Sequence, residues 1–341
     1  MSRPDIKNGR IEMAHGSGGR VSATLIEELF VRHLDNELLK QGNDASVFEI
    51  SAGRMAISTD AHVVAPLFFP GGDIGSLSVH GTINDVAMSG ARPLCLTASF
   101  ILEEGFPLSQ LEQIVISMAA ASRLAGVPVV AGDTKVVERG KGDGVFISTT
   151  GIGVIPKGVH VSGDRARSGD VVLLSGFIGD HGVAILSSRE GLEFGTQIQS
   201  DSAALHGLVA DMVAAVPDIR CLRDPTRGGL ATTLNELCMQ SAVGMRIREA
   251  DIPVRAEVRA ACELLGLDPL YIANEGKLVC ICPEASASTL ISIMQKHPLA
   301  EHACIIGEVV ADARQLVVME TTFGGNRVVD RLAGEQLPRI C

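Results

Sequence analysis

Five aspartates stand at junctions with apolar segments. Asp44 precedes the apolar run of GNDASVFEI, Asp60 closes that of AISTDAHV, and Asp85 lies among the small and apolar residues of TINDVAMSG. Asp133 follows the apolar VPVVAG, and Asp224 stands before the Gly-Gly of CLRDPTRGGL. A carboxylate bordering an apolar segment needs a partner. Mg²⁺ suits such a set, being a hard ion held by a few carboxylates together with substrate phosphates. Any one aspartate reads equally as a cap or turn residue. Five of them, spread over both halves of the chain, favour a shared site.

Other residues could complete such chemistry. Lys135 follows Asp133 by two positions, so a continuing strand points both the same way. There it would neutralise charge on a transferring phosphoryl group, or stand as a plain surface lysine. Glu275, in IANEGKLVCIC, precedes an apolar strand and is either a general base or a turn residue. AHGSGG (residues 14–19) offers the backbone N–H groups of Gly18 and Gly19 to a phosphate, or is an ordinary turn. His15 and His181 favour structural roles. No P-loop and no dinucleotide fingerprint occurs. The last residue is Cys341, a thiol where chain ends are usually frayed.

Alternating strand and helix signals must position these residues. Residues 54–59 read as a strand, 74–89 as a helix ending at Gly90, and 93–102 as a strand. The next helix carries Ser109 and Glu112 in capping-box spacing. Its buried face is Leu111, Ile114, Val115, Met118 and Ala119, and its stop is Gly126. Two strands follow, VPVVAG and GVFISTTGIGVI. The polar passage from Pro156 to Gly169 marks a boundary. Beyond it DVVLLSG is a strand, and Asp180 and His181 open a helix. Helices are expected at 202–215, 229–241, 254–265 and 285–296, among strands near 277–282, 304–310 and 315–320. The expected organisation is α+β in two domains, 1–158 and 159–329, with a flexible tail at 330–341.

Composition narrows the function. Apolar residues make up 46% and charged residues 20%, enough for a sizeable core and against disorder. The net charge of −11 argues against nucleic acid and anionic membranes as partners. Cys95, Cys221, Cys238, Cys262, Cys280, Cys282, Cys304 and Cys341 include no C-x-x-C pair and no zinc spacing. Cys280 and Cys282 share one face of a strand and read as buried thiols. The scatter suits a reducing cytoplasm. The opening stretch lacks the apolar core of a signal peptide, and no run reaches transmembrane length.

Taken in order, AHGSGG, STDAHVVAPLFFPGGDIGSL, GTINDVAMSGARP, GDTKVVERG, SGFIGDHGVAIL, RDPTRGGLA, NEGKLV and the final PRIC resemble the HypE family of hydrogenase maturation factors. That family lies within the superfamily of aminoimidazole ribonucleotide synthetase and selenophosphate synthetase. The resemblance runs nearly end to end. It implies a two-domain PurM-like fold in which the N-terminal sheets of two chains pair into a β-barrel. It implies ATP and Mg²⁺ bound between the domains. Asp44, Asp60, Asp85 and Asp224 match the family's acidic metal and phosphate positions, with Asp133 close by. It further implies that a carbamoyltransferase, HypF, loads the thiol of Cys341. The chain would then dehydrate that S-carboxamide to a thiocyanate, with Glu275 as base and Lys135 stabilising charge. The cyano group would pass to iron on a HypC–HypD complex, for the [NiFe]-hydrogenase centre.

Two rivals are weaker. Selenophosphate synthetase would carry a reactive Cys or Sec near its start, but Cys95 is the first cysteine; thiamine-phosphate kinase needs no terminal cysteine. A non-catalytic scaffold leaves the acidic pattern without a use.

Overall fold

The computed structural model describes residues 5–16, 20–37, 53–190 and 198–331. Asp44, Gly18, Gly19 and Cys341 lie outside the described residues. The first half opens with short helices α1 (Arg20–Leu25) and α2 (Arg32–Leu34), joined by a π-helical turn. Next come strand β1 (Arg54–His62), the small hairpin of β2 (Phe68–Phe69) and β3 (Gly72–Asp73), and helix α3 (Ile74–Met88). Strand β4 (Arg92–Glu103), helix α4 (Leu108–Ala125) and strands β5 (Val129–Val137) and β6 (Val145–Ile155) complete it. The sheet order is β1-β6-β4-β5, with only β4 and β5 parallel.

Helix α3 starts where Asp73 accepts from the N–H groups of Gly75 (2.7 Å) and Ser76 (3.1 Å). That satisfies donors the first turn leaves free. Helix α4 buries the five expected residues and ends at Gly126 with φ of 67°. The expected capping box does not form: the helix begins at Leu108 behind Pro107, with no side-chain cap. Proline pre-sets the entry backbone and Leu108 is drawn into the core, so Ser109 already lies inside the first turn.

The second half holds a seven-stranded sheet, β13-β12-β9-β11-β7-β10-β8. Its strands are β7 (Asp170–Leu174), β8 (Cys221–Arg223), β9 (Gly244–Arg248), β10 (Val279–Pro283), β11 (Cys304–Val310), β12 (Val317–Glu320) and β13 (Asn326–Val329). Its helices are α5 (Asp180–Glu190), α6 (His206–Ala215), α7 (Gly229–Ser241), α8 (Ala256–Leu265) and α9 (Glu284–Met294). Cys280 and Cys282 are fully buried, as expected. The halves share apolar clusters: Ala87 and Met88 of α3 pack among residues of α6 and α9, and Ile185 and Ala273 pack into the first half. Among the described residues no helix is long and apolar enough to cross a membrane.

Candidate active site

The two faces of the four-stranded sheet sort the expected site residues. One row across the sheet is Asp60, Thr149, Ala98 and Gly132; the next is Ala61, Ser148, Ser99 and Asp133. The first row faces α3, where Thr149 donates to the Ser78 carbonyl (3.0 Å). The second faces away from the helices. Strand β5 continues through Asp133 rather than ending there, and Lys135 lies on the same face with Nζ 3.6 Å from Asp133 Oδ2. Lys135 is 67% exposed there. Asp133 and Lys135 therefore stand on the opposite face from Asp60 and Asp85.

Asp60, Asp85, Asp224 and Glu275 do come together. Asp85, on α3, accepts from Ser58 Oγ (2.8 Å) on β1. Asp60 accepts from its neighbour's N–H and from Arg227 Nη2 (3.2 Å). A methyl group on Gly81 would stand 3.1 Å from His62 Cε1, 3.5 Å from Asp60 Oδ2 and 3.8 Å from Glu275 Oε2. Glycine thus leaves open the space on which these side chains converge. Glycine also sets the loop after Asp224: Gly228 and Gly229 take φ of 71° and 59°, and a Cβ on Gly229 would strike the Leu270 and Ile272 carbonyls at 2.6 Å.

Two buried asparagines lock the second half onto this cluster. Asn84 Nδ2 donates to the carbonyls of Ala203 (3.0 Å) and Glu275 (3.1 Å), and its Oδ1 accepts from Leu205 N (2.7 Å). Asn274 donates to the carbonyls of Pro225 (2.9 Å) and Ile272 (3.0 Å) and accepts from Gly179 N (2.8 Å). The N–H of Glu275 bonds Asp201 Oδ1 (3.0 Å), and Lys277 pairs with Asp201 Oδ2 (3.3 Å). Spacing did not single out Asn84, Asn274, Asp201, Lys277 or Arg227. Arg227 carried a signal, as a cation in the same RDPTRGG stretch as Asp224, and Asn84, Asn274 and Lys277 lay unremarked inside quoted motifs.

Crowded carboxylates in a dry place hold protons. Burial, then the charge of Asp85, pushes Asp224 up to about 7. Burial raises Asp85, partly offset by the Ser58 hydrogen bond and reinforced by Asp60. Glu275, 5% exposed, is raised well above the carboxylate range by burial and by Asp224, Asp201, Asp60 and Asp85. Burial lowers the pKa of His62, against the opposing charge of Asp60. Such a set fits a divalent cation, whose charge would relieve the repulsion. Among the described residues no group of three His, Cys, Asp or Glu side chains could hold a metal unaided.

Stability should report this repulsion. A carboxyl whose folded pKa lies above its unfolded one favours the folded state at low pH. That advantage is lost as pH rises from about 4 through the folded value near 7 for Asp224. The melting temperature of metal-free protein should fall between pH 5 and 8, and millimolar Mg²⁺ at pH 8 should restore part of it; a melt insensitive to both would contradict the electrostatics.

Gly81→Ala gives a second check. Alanine favours helix by about 1 kcal/mol, which offsets the small shift that the 3.1 Å contact asks of His62, so the fold should hold. The added methyl would occupy the space between Asp60 and Glu275, and any turnover that uses that space should fall at least tenfold. Turnover and melting measured on one preparation decide it; unchanged turnover would mean that the space is not used.

The two-sheet architecture with an acidic cleft between the halves defines a class. The family model for AIR synthase related protein, N-terminal domain, matches residues 42–155, and that for its C-terminal domain matches residues 167–320. The chain is an AIR synthase related protein. Within that class it is 68% identical to the carbamoyl dehydratase HypE of Azotobacter vinelandii over 341 residues, 100% of both chains. A crystal structure of hydrogenase maturation protein HypE in complex with ATP superposes with a TM-score of 0.94 at 53% identity, covering 96% of this chain and 99% of that one. A HypE–HypF complex matches with a TM-score of 0.80 at 49% identity, over 90% of this chain and 99% of that one. The chain belongs to the carbamoyl dehydratase HypE family, enzymes of hydrogenase maturation.

Proposed function

We propose that the chain dehydrates a carbamoyl group on its own Cys341, using ATP, and so supplies cyano ligands for hydrogenase iron. The balance is thiocarbamate plus ATP giving thiocyanate, ADP, phosphate and a proton. The amide oxygen leaves as phosphate because phosphorylation turns a poor leaving group into a good one. Glu275 takes a proton from the amide nitrogen, its raised pKa making its carboxylate a better base near neutral pH. Asp60, Asp85 and Asp224, with Asp44, would hold Mg²⁺, which offsets phosphate charge when bound. Arg227, beside Asp60, offers a cation to the same phosphates.

The observation that carries this reading is where the tail begins. Tyr271 Oη donates to the Asp330 carbonyl (2.9 Å), only four residues before Glu275. Four residues span at most about 14 Å, while the eleven after Asp330 reach up to about 36 Å. The terminal thiol can therefore meet Glu275 and also leave it. The division into 1–158, 159–329 and a tail from 330 belongs to this proposal.

Partners follow from the chemistry. A carbamoyltransferase of the HypF kind must load Cys341; a HypE–HypF complex is known for a relative. A HypC–HypD complex would accept the cyano group, with two electrons and a proton regenerating the thiol. A second copy fits the bare sheet face, which exposes Met55, Ile57 (73%) and Ile101. Lys135 and Asp133 share that face, so we assign them to a site completed by pairing. Ile57→Lys should convert a dimer to monomer by light scattering; a dimer that survives would redirect the interface.

The central test bypasses the partners. The thiols are carbamoylated with cyanate, MgATP is added, and digestion after glutamate releases QLPRIC. Loss of one water at Cys341 only with ATP is expected. An intact carbamoyl group in protein shown to bind ATP would favour a carrier instead.

A further inference from the structure

A second cavity, of about 600 Å³, lies beside the acidic cleft. Its wall carries Asp180, Asp201, Arg255, Lys277, Glu257 and Glu301. Both cations are already engaged. Arg255 Nε donates to Asp180 Oδ2 (3.0 Å), and Lys277 lies 3.3 Å from Asp201 Oδ2. Two carboxylates, Glu257 and Glu301, remain in excess. The other oxygen of Asp180, Oδ1, has no hydrogen-bond partner among the described residues, although that side chain is only 7% exposed. A buried acceptor left unmet is costly. The wall therefore calls for a cation with several N–H donors, which describes a guanidinium.

We propose that this cavity receives the side chain of Arg339 when the tail presents Cys341, an inference that rests on the reading above. Beyond Arg331, at the tail's root, Arg339 is the tail's one basic residue. The positions agree. A Cβ on Gly182 would stand 2.5 Å from Ile272 Cγ2, so the first turn of α5, which carries Asp180, packs on the neighbour of Tyr271. Tyr271 in turn holds Asp330. Asp201, on the same cavity's wall, accepts from the N–H of Glu275. The cavity thus lies between the tail's root and the base. Arg339 and Cys341 are two residues apart in sequence, and an extended segment would set two such positions about 7 Å apart on one face. Because Asp201 joins this wall to the backbone of Glu275, an arginine seated here would bring the terminal thiol toward that segment. Charge recognition of the tail would then select the chain's own carbamoylated end over free carbamoyl compounds.

The test uses full-length carbamoylated protein with MgATP, reading the rate of water loss from the tail peptide by mass. Arg339→Gln should slow it about tenfold, with ATP affinity unchanged, and Arg339→Lys should recover part of the loss. Glu257→Gln with Glu301→Gln should slow it similarly. Combining these with Arg339→Gln should add little, because one contact is lost from either side. Wild-type rates in Arg339→Gln, or losses that simply multiply, would overturn the proposal while leaving the dehydratase reading intact. No water loss from wild-type protein that binds ATP would overturn both.

Discussion

Replacing Glu275 with Gln is expected to stop water loss at Cys341 while making the protein more stable. The side chain keeps its shape, and the backbone contacts to Asp201 and Asn84 do not depend on its charge. What disappears is a buried carboxylate crowded by Asp224, Asp201, Asp60 and Asp85. Its folded pKa is raised, so the ionised form weakens the fold increasingly as pH climbs above the ordinary carboxylate range. Glutamine removes that penalty, and the melting temperature at pH 8 should rise. The same substitution removes the proton acceptor, worth about 10²–10⁴ in rate. A more stable protein that binds ATP yet retains its carbamoyl group separates a catalytic role from a structural one. Dehydration within tenfold of the parent rate would remove Glu275 as the base.

Local patterns were readable in the sequence because they depend on near neighbours. The apolar stripe of α4 and its Gly126 stop follow from helical period and from the left-handed backbone glycine tolerates. The paired direction of Asp133 and Lys135 follows from strand period. Which face they occupy does not, since that depends on where α3 and α4 pack, and the sheet's helix face belongs to Asp60 and Thr149. The Ser109–Glu112 pattern misled for a related reason: burial of Leu108 behind Pro107 moved the helix start ahead of the cap. Asp60, Asp85 and Asp224 were legible as acids at apolar junctions, and Glu275 joined them only through the family resemblance. Their supports were not. Asp201 and Lys277 act through contacts to each other and to the backbone of Glu275, and such contacts leave no local spacing to read.

Asn84 is the extreme case, and its loss should have the largest effect on stability. It sits in α3, 1% exposed, and spends its amide on the Ala203 and Glu275 carbonyls and its oxygen on Leu205 N. All three partners lie in the second half, more than a hundred residues away. Asn84→Ala leaves the Ala203 carbonyl and the Leu205 N–H unmet in a dry seam, and leaves the Glu275 carbonyl only the Ala203 N–H at 3.4 Å. At about 1–3 kcal/mol for each of those two groups, partly recovered by relaxation, the cost should be about 2–5 kcal/mol. That is a large share of a typical folding free energy of about 5–15 kcal/mol. Asn84→Asp separates space from hydrogen bonding: it fills the volume, keeps the acceptor for Leu205, and loses both donors while adding a charge. It should therefore be as damaging as alanine or worse. In whatever fraction remains folded, Glu275 would lose its tether to α3, and turnover should fall more than ATP affinity. Calorimetry with the tail-peptide assay checks both. An Asn84→Ala protein that melts within a degree of its parent would show that α3 and the Glu275 segment are joined by apolar packing alone, with the hydrogen bonds contributing nothing net.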